Sequence, residues 1–350
     1  MQSNREIFGM PQIRSRQRRR IRAGRQRKSA PAALTLMAAG LLAILSAAPV
    51  AAANLVPGTS CPVFPSDSWW HADISKLPVH AKNAKWLSHM STGLNLHPDF
   101  GPSYGAQPVP YGIPISVVDN THPVVTVKFG YASQSDKIPY PLGTDIAVEG
   151  GQWVSGDRHT IIVNSDTCRL YETWATHHKG DVWAAGSGAS WLLASNALRP
   201  AGWTSADAAG LPILPGLLRY DEVASRSIDH AIRFTTDVTD MKYLWPARHQ
   251  AGAVADRSYP PMGARFRLKA SYVISASLRG DTRAVLKAMK KYGLVLADNG
   301  SAWYFQGTSD TRWSGPFISQ LKQIPASAFE AVDTSSLMIS PDSMQVPTPP

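Results

Sequence analysis

The chain has 350 residues, with 35 Lys and Arg against 25 Asp and Glu. Ten of these basic residues and a single acid fall within residues 1–28, so the rest of the chain is close to neutral. This distribution excludes a protein that binds nucleic acid through a basic surface, and the remaining length suits one large domain.

Residues 1–53 have the order of a secretory signal peptide. A basic region is followed by the apolar run AALTLMAAGLLAILSAAPVAAA, which ends in an Ala-x-Ala site at residues 51–53. We expect cleavage after Ala53, no stable membrane insertion afterwards, and a secreted protein in the extracellular space or the cell envelope. An uncleaved membrane anchor and twin-arginine export are alternatives, since the apolar run approaches the length of a span and paired arginines precede it.

The chain contains two cysteines, Cys61 and Cys168. In an exported protein such a pair predicts a disulfide, because the compartment is oxidising. A free catalytic thiol is the alternative.

Residues 54–112 are rich in Pro, Gly, His and Trp, which indicates an irregular segment that wraps over the core. Residues 113–339 contain short β-rich runs separated by turn residues. This spacing favours a mostly β fold, an antiparallel β-sandwich of jelly-roll type with short helices in its connections. The final stretch SPDSMQVPTPP, residues 340–350, has the composition of a disordered tail.

The clearest helix lies near the C-terminus. Asp281 can cap the run TRAVLKAMKKY, and Gly293 supplies the stop. Asn299 and Gly300 then separate two strand-like runs, a pattern typical of a two-residue β-hairpin. We therefore expect a helix and hairpin extension over residues 281–307, and we interpret Asp298 as part of the turn, with a catalytic Asp298 as the alternative.

Strand alternation places several charged residues among apolar ones. In CRLYETW, Glu172 shares a face with Cys168 and Leu170, and in HTIIVN, His159 shares a face with Ile161. A two-residue turn between these runs would place His159 opposite Glu172. A buried carboxyl group beside an imidazole can exchange protons near neutral pH, although a hydrogen-bonded core histidine is the common alternative.

The stretch LLRYDEVASRSIDHAIRF predicts a short helix from Pro215 to Arg226, followed by a strand. His230 falls on the strand face that we expect to be buried. Asp221 and Glu222 are adjacent on the helix, so at most one of them can face a cleft. Either could supply a second catalytic carboxylate, and either could instead pair with a neighbouring arginine.

Candidate substrate contacts come from basic and aromatic residues. Arg265 and Arg267 form a basic stripe on one face of a strand, which could hold an anionic glycan or be an ordinary solvated surface. Trp174 and Trp203 could stack on sugars or pack in the core. Asp157 precedes a strand and could bind substrate or cap the turn.

The chain has no P-loop, no dinucleotide-binding glycine motif, no GxSxG, no HExxH and no CxxC pair. We therefore expect no cofactor and no metal, and the adjacent His177 and His178 are only a weak metal motif.

The phrases RYDEV, DHAIRFT, WPARH and ADNGSAWYFQG resemble a family of exported bacterial β-rich proteins. The resemblance covers roughly residues 100–335. It implies a bacterial envelope or extracellular setting and carries over no activity, cofactor or catalytic residue.

We expect a secreted carbohydrate-active enzyme, a glycoside hydrolase that uses Glu172 with Asp221 or Glu222, while His159 tunes Glu172 and His230 contacts the substrate. Its partner would be a polysaccharide or a cell-envelope glycan, and not nucleic acid. The alternatives are a polysaccharide lyase acting on a uronate-containing glycan, with His159 or His230 as base, and a non-catalytic protein that binds glycans or supports the envelope.

Overall fold

The computed structural model describes residues 55–104, 111–152 and 155–347. The expected signal peptide lies outside these residues. Within them, strands account for 27% and helices for 15% of the structure, so the mostly β prediction is confirmed.

The strands in chain order are β1 (His97–Asp99), β2 (Ile115–Val118), β3 (Val127–Phe129), β4 (Thr160–Asn164), β5 (Arg169–Trp174), β6 (His177–Lys179), β7 (Val182–Ala185), β8 (Ser187–Leu192), β9 (Ile232–Thr236), β10 (Arg265–Leu268), β11 (Leu294–Asn299), β12 (Tyr304–Gln306) and β13 (Phe329–Val332). The α-helices are α1 (Asn83–Leu87), α2 (Tyr220–Ser225), α3 (Gly280–Lys291) and α4 (Gly315–Leu321). Short 3₁₀ turns lie at Trp69–His71, Leu214–Gly216, Ala326–Ala328 and Ser335–Leu337.

The described strands form three sheets. Their orders are β1-β12-β9-β11-β10-β13, β2-β4-β5-β8 and β3-β7-β6. Each sheet contains at least one parallel pair, such as β9 with β11, β2 with β4 and β3 with β7. The strand directions are therefore mixed, in contrast to the antiparallel arrangement that we expected.

Strand β4 separates two hydrophobic clusters. Ile161 and Val163 pack into the large core, which also contains most apolar residues of the six-stranded sheet. Ile162, on the opposite face, packs into a smaller cluster with Val127 and Trp183 of the three-stranded sheet. Side chains alternate along a strand, so one strand can serve both clusters.

Helix α3 follows the sequence prediction closely. It covers Gly280–Lys291, and Val285 and Met289 are buried on one face. Gly293 has a φ of +77° and ends the helical segment, because only glycine adopts this region without steric cost.

The predicted β-hairpin after α3 is wrong. Strands β11 and β12 both pair with β9 and lie on opposite sides of it. Residues 281–307 therefore contribute two interior strands to the main sheet and do not form a separate extension. The turn signal at Asn299 and Gly300 identified a chain reversal but not which strands would pair.

The predicted disorder of the C-terminal tail is also wrong for residues 340–347. Met344 is fully buried, its carbonyl accepts a hydrogen bond from the Trp69 N–H at 2.7 Å, and its own N–H donates to Asn196 at 2.7 Å. Residues 348–350 lie outside the described part of the chain.

The disulfide between Cys61 and Cys168 is confirmed. It links the chain before the first 3₁₀ turn to the residue before β5. No helix among the described residues combines the length and apolar character needed to cross a bilayer.

Candidate active site

The register between β4 and β5 separates His159 from Glu172. Ile161 lies opposite Glu172 and Val163 lies opposite Leu170, a shift of two residues from the expected pairing. The strand faces match the prediction, but four residues, 165–168, connect the strands in place of two. The predicted cross-strand pair of His159 with Glu172 is therefore absent.

Glu172 holds a main-chain turn in the core. Its buried carboxyl group accepts hydrogen bonds from the N–H groups of Ile213 and Leu214 at 2.8–3.0 Å. Burial raises the pKa of Glu172 to about 7, although these hydrogen bonds favour the charged form. The geometry gives Glu172 a structural role at the 3₁₀ turn.

Glu222 and His230 belong to a second buried network. His230 Nε2 lies 2.9 Å from Glu222 Oε1, and His230 Nδ1 lies 2.8 Å from the Ala231 carbonyl. Arg219 donates to Glu222 from its main-chain N–H at 2.8 Å and also from its guanidinium group. Burial opposes the charge on Glu222, but Arg219 and then His230 lower its pKa. The network caps α2.

Asp221 points away from this network. Its side chain is 57% exposed and forms an ion pair with Arg312 at 3.0 Å. Glu172, Glu222 and Asp221 thus have separate partners, and the structure does not bring the expected catalytic carboxylates together.

The two arginines expected on a basic surface stripe are buried. Arg265 donates to the carbonyls of Trp69 at 2.7 Å and Tyr292 at 2.8 Å. Arg267 donates to Glu330 at 2.8 Å and to the carbonyl of Ile74 at 2.7 Å. Both guanidinium groups attach residues 69–74 to the six-stranded sheet. The expected stripe failed because a segment distant in sequence covers this strand.

Trp203 and Trp174 occupy different environments. Trp203 is half-buried, and the Arg199 guanidinium lies 5.4 Å from the centre of its ring. Trp174 is half-buried and lies beside Asp157, with 3.4 Å between Trp174 Nε1 and Asp157 Oδ1. Of these two tryptophans, Trp174 lines the cavity described next.

Two adjoining cavities, each of about 250 Å³, lie beside the C-terminal residues of β11 in the six-stranded sheet. The first, here called the Trp174 cavity, is lined by Trp174 and Tyr131 among others. The second, here called the Gln306 cavity, is lined by Gln306 and Tyr304 among others. Three residues line both cavities and define their junction: Asp157, Asp298 and Asn299.

Asp298 lies beside a buried ion pair. Arg233 in β9 binds Asp207 through two contacts, Nε to Oδ2 at 2.9 Å and Nη2 to Oδ1 at 2.8 Å. The same Nη2 lies 3.8 Å from Asp298 Oδ2, and 27% of the Asp298 side chain is exposed. A register shift in β11 between Leu296 and Asp298 interrupts the strand at this point, as β-bulges near functional sites often do.

The Asp298 carboxyl group binds its proton unusually tightly. Burial and then the nearby charge of Asp207 raise the pKa of Asp298 to about 7, against the opposing effect of Arg233. Arg233 stays charged, because the Asp207 carboxylate outweighs burial and raises the pKa of Arg233. Asp298 can thus carry a proton near neutral pH.

His159 lines the Gln306 cavity and pairs with Glu149. His159 Nδ1 lies 2.6 Å from Glu149 Oε2, and Nε2 lies 3.2 Å from the Ala206 carbonyl. Burial disfavours a charged imidazole, but Glu149 outweighs it and raises the pKa of His159 to about 9. Both ring nitrogens face acceptors, so His159 is a doubly donating imidazolium.

Our sequence interpretation missed Glu149, Asp207 and Arg233, and it favoured a turn role over a catalytic one for Asp298. Alternation along the strand puts Arg233 on the face opposite His230, which would be the solvent face, whereas every residue of β9 is buried. A usable signal was present in the run AIRFTT, where one Arg stands in an otherwise uncharged strand. A charge in a central strand requires a buried partner, although the sequence does not identify Asp207 as that partner.

Among residues 55–104, 111–152 and 155–347, no group of three or more His, Cys, Asp or Glu side chains is arranged to hold a metal ion. Comparison of the chain with protein-family models, with curated proteins and with solved structures returns no match.

Proposed function

We propose that the protein is a secreted carbohydrate-active hydrolase in which Asp298 is the proton donor and Asp157 is the second carboxylate. The observation that carries this proposal is the position of the partly buried Asp298 carboxyl group at the junction of two cavities that Asp157 also lines. This assignment moves the chemistry from Glu172 to residues contributed by β11 and by the loop before β4.

The chemistry follows from the different environments of the two carboxyl groups. Asp298 retains a proton near neutral pH and can donate it to the leaving oxygen of a glycosidic bond. Asp157 is exposed, so its carboxylate can accept a proton from a water molecule or attack the anomeric carbon directly. Hydrolysis adds the elements of water across the broken bond in either case.

Aromatic side chains beside these carboxyls suit a sugar substrate. Trp174 and Tyr131 both line the Trp174 cavity, with their ring centres 6.4 Å apart. Half-exposed rings offer flat apolar surfaces against which the C–H face of a sugar can pack, while Asp157 and Asn299 offer hydrogen bonds to its hydroxyl groups.

Hydrolysis is favoured over elimination because the residues that a lyase would need are already engaged. Both nitrogens of His159 have acceptors, which leaves none to remove a proton from a substrate. His230 is fully buried with both of its nitrogens similarly occupied. Arg265 and Arg267, expected to hold a uronate carboxylate, bind main-chain carbonyls and Glu330.

The experiment is incubation of the chain from residue 54 onward with neutral, acidic and amine-bearing polysaccharides, recording reducing ends and the absorbance of unsaturated products. We expect new reducing ends without unsaturation. Asp298→Asn should lower the rate roughly 100-fold or more, the usual contribution of a general acid. Asp221→Asn is the matched control, because Asp221 lies in a surface ion pair, and it should keep the wild-type rate.

Three results would contradict the proposal. Unsaturated products would indicate elimination, binding of a glycan without any cleavage would indicate a non-catalytic protein, and equal rates for Asp298→Asn and Asp221→Asn would exclude Asp298 as the acid.

A further inference from the structure

The charges around the Gln306 cavity do not balance. Four carboxyl groups line it, and the cationic side chains of its lining are His159 and Arg233. Each cation already has a closer carboxylate partner: Glu149 lies 2.6 Å from His159, and Asp207 lies 2.8 Å from Arg233. Asp298 keeps its proton near neutral pH, so the carboxylates left without a matched cation are those of Asp99 and Asp157.

Asp99 illustrates this imbalance. Its Oδ1 accepts a hydrogen bond from the Tyr111 hydroxyl group, and its Oδ2 accepts one from Gln306 Nε2 at 3.2 Å. Both donors are neutral, so they satisfy the carboxylate oxygens without cancelling the charge. Asp99 is half-buried, so its uncancelled charge is costly unless a cation from outside the chain enters the cavity.

Gln306 provides a second and independent observation. It lines the same cavity, is 4% exposed, and its Oε1 atom has no hydrogen-bond partner among the residues that the structure describes. The bond from Nε2 to Asp99 fixes the orientation of the amide, so Oε1 is the free acceptor. A buried acceptor without a partner indicates that a donor belongs beside it.

We propose that the Gln306 cavity is a subsite for a sugar unit that carries a protonated amino group, such as a 2-amino-2-deoxyhexose within a glycan. An ammonium group supplies the positive charge that Asp99 and Asp157 lack, and it supplies a hydrogen-bond donor for Gln306 Oε1. This inference rests on the proposed function, and it names the substrate class of the same site.

Other cationic occupants fit the surroundings less well. The described residues offer no three-ligand arrangement for a metal ion. A lysine side chain carries an ammonium group, but it has no flat face to lie against Trp174 in the adjoining cavity. A cavity of about 250 Å³ falls below the roughly 300 Å³ at which pockets for larger ligands begin, so it suits a single sugar unit.

The test measures binding to the Asp298→Asn variant, so that cleavage does not consume the probes. The probes are oligomers of glucosamine, N-acetylglucosamine and glucose with the same length and linkage, together with an oligolysine, at mildly acidic pH. We expect the glucosamine oligomer to bind at least roughly tenfold more tightly than the two neutral oligomers, with an advantage that shrinks as salt is added.

Two variants in the Asp298→Asn background assign the preference to this cavity. Asp99→Asn removes one unmatched charge and should remove most of the preference for the amine. Gln306→Met removes the acceptor while keeping the length of the side chain, and it should weaken glucosamine binding more than glucose binding. Asp221→Asn, on the exposed face of α2, should leave the preference unchanged.

The outcomes separate this inference from the proposed function. Equal binding of all three sugar oligomers, no binding of any of them, or tighter binding of oligolysine would overturn the amino-sugar subsite. Selective glucosamine binding without cleavage by the wild-type chain would support the subsite and contradict the hydrolase. Cleavage of neutral glycans without any preference for amines would support the hydrolase and overturn the subsite.

Discussion

Arg233 and Asp207 form a two-point ion pair that is buried on both sides, with contacts of 2.9 Å and 2.8 Å. Burial is the largest cause of the raised pKa of Asp298, and the pair adds to it, because Asp207 repels a charge on Asp298 while Arg233, at 3.8 Å, attracts one. The core of the protein therefore determines the behaviour of the carboxyl group that lies at the cavity junction.

Asp207→Asn should destabilise the protein and lower the pKa of Asp298. Removing the carboxylate leaves Arg233 buried without its main partner, a change that costs about 3–5 kcal/mol in comparable buried pairs. Asp298 would then become the nearest counter-charge, so its pKa should fall from about 7 toward the ordinary range. Urea unfolding measures the first effect, and carboxyl NMR titration measures the second.

The control for Asp207→Asn is Asp342→Asn. Asp342 pairs with Arg248 at 2.8 Å, but its side chain is 77% exposed, so the loss should stay below about 1 kcal/mol. Similar losses for the two variants, or an unchanged Asp298 titration, would show that the buried pair does not control this site.

Glu172→Gln should change how stability depends on pH and leave catalysis intact. The pKa of Glu172 is about 7 in the folded chain against 4.5 for an ordinary glutamate. Because the folded chain binds the Glu172 proton more tightly than the unfolded chain does, the protonated carboxyl group stabilises the fold. This stabilisation is complete below pH 4.5 and is lost as the pH rises through about 7. Glutamine does not ionise, so the variant should not lose the roughly 3 kcal/mol of unfolding free energy that the wild type loses over this pH range.

The measurement is the free energy of unfolding of both proteins on the acid side of pH 4.5 and again on the alkaline side of pH 7. As the pH rises, the free energy of unfolding of the variant should increase relative to that of the wild type. The hydrolytic rate per folded molecule should stay the same. Parallel stability curves would contradict the buried, proton-binding role of Glu172, and a lost rate would return Glu172 to the catalytic site.

The features that the sequence predicted correctly depend on local patterns or on composition. The spacing of Val285 and Met289, with Gly293 as the stop, defines α3 without reference to the rest of the fold. Cys61 and Cys168 could pair only with each other within the chain. The mostly β composition follows from many short runs, so errors in single strands do not change it.

The features that the sequence did not predict depend on contacts between distant segments. The argument from alternation assumes that one face of each strand is exposed to solvent. Strand β9 lies between β11 and β12, however, and both Arg233 and Phe234 are buried. The partners of Arg233 come from a loop and from an interrupted strand, Asp207 and Asp298. No periodicity within any one segment links these residues.

Removal of the disulfide should cost about 4–5 kcal/mol of unfolding free energy. Cys61 and Cys168 close a loop of 107 residues, and long loops lose the most chain entropy when the unfolded state is cross-linked. A Cys61→Ser, Cys168→Ser double variant should therefore unfold at lower denaturant concentration. The wild-type chain unfolded in the presence of a reductant should match it, and equal stability of oxidised and reduced chains would contradict this role.

The C-terminal segment should contribute to stability through Met344. This side chain is fully buried in the large core, and its main chain bonds to Trp69 and Asn196. Met344→Ala keeps the main-chain bonds and leaves a cavity, so we expect a loss of about 2–5 kcal/mol in denaturant unfolding. Met338→Ala is the matched control, because Met338 is 47% exposed and its truncation should cost much less. If the two variants were equally stable, residues 340–347 would not be anchored in solution, and the disordered tail expected from the composition of SPDSMQVPTPP would be the better description.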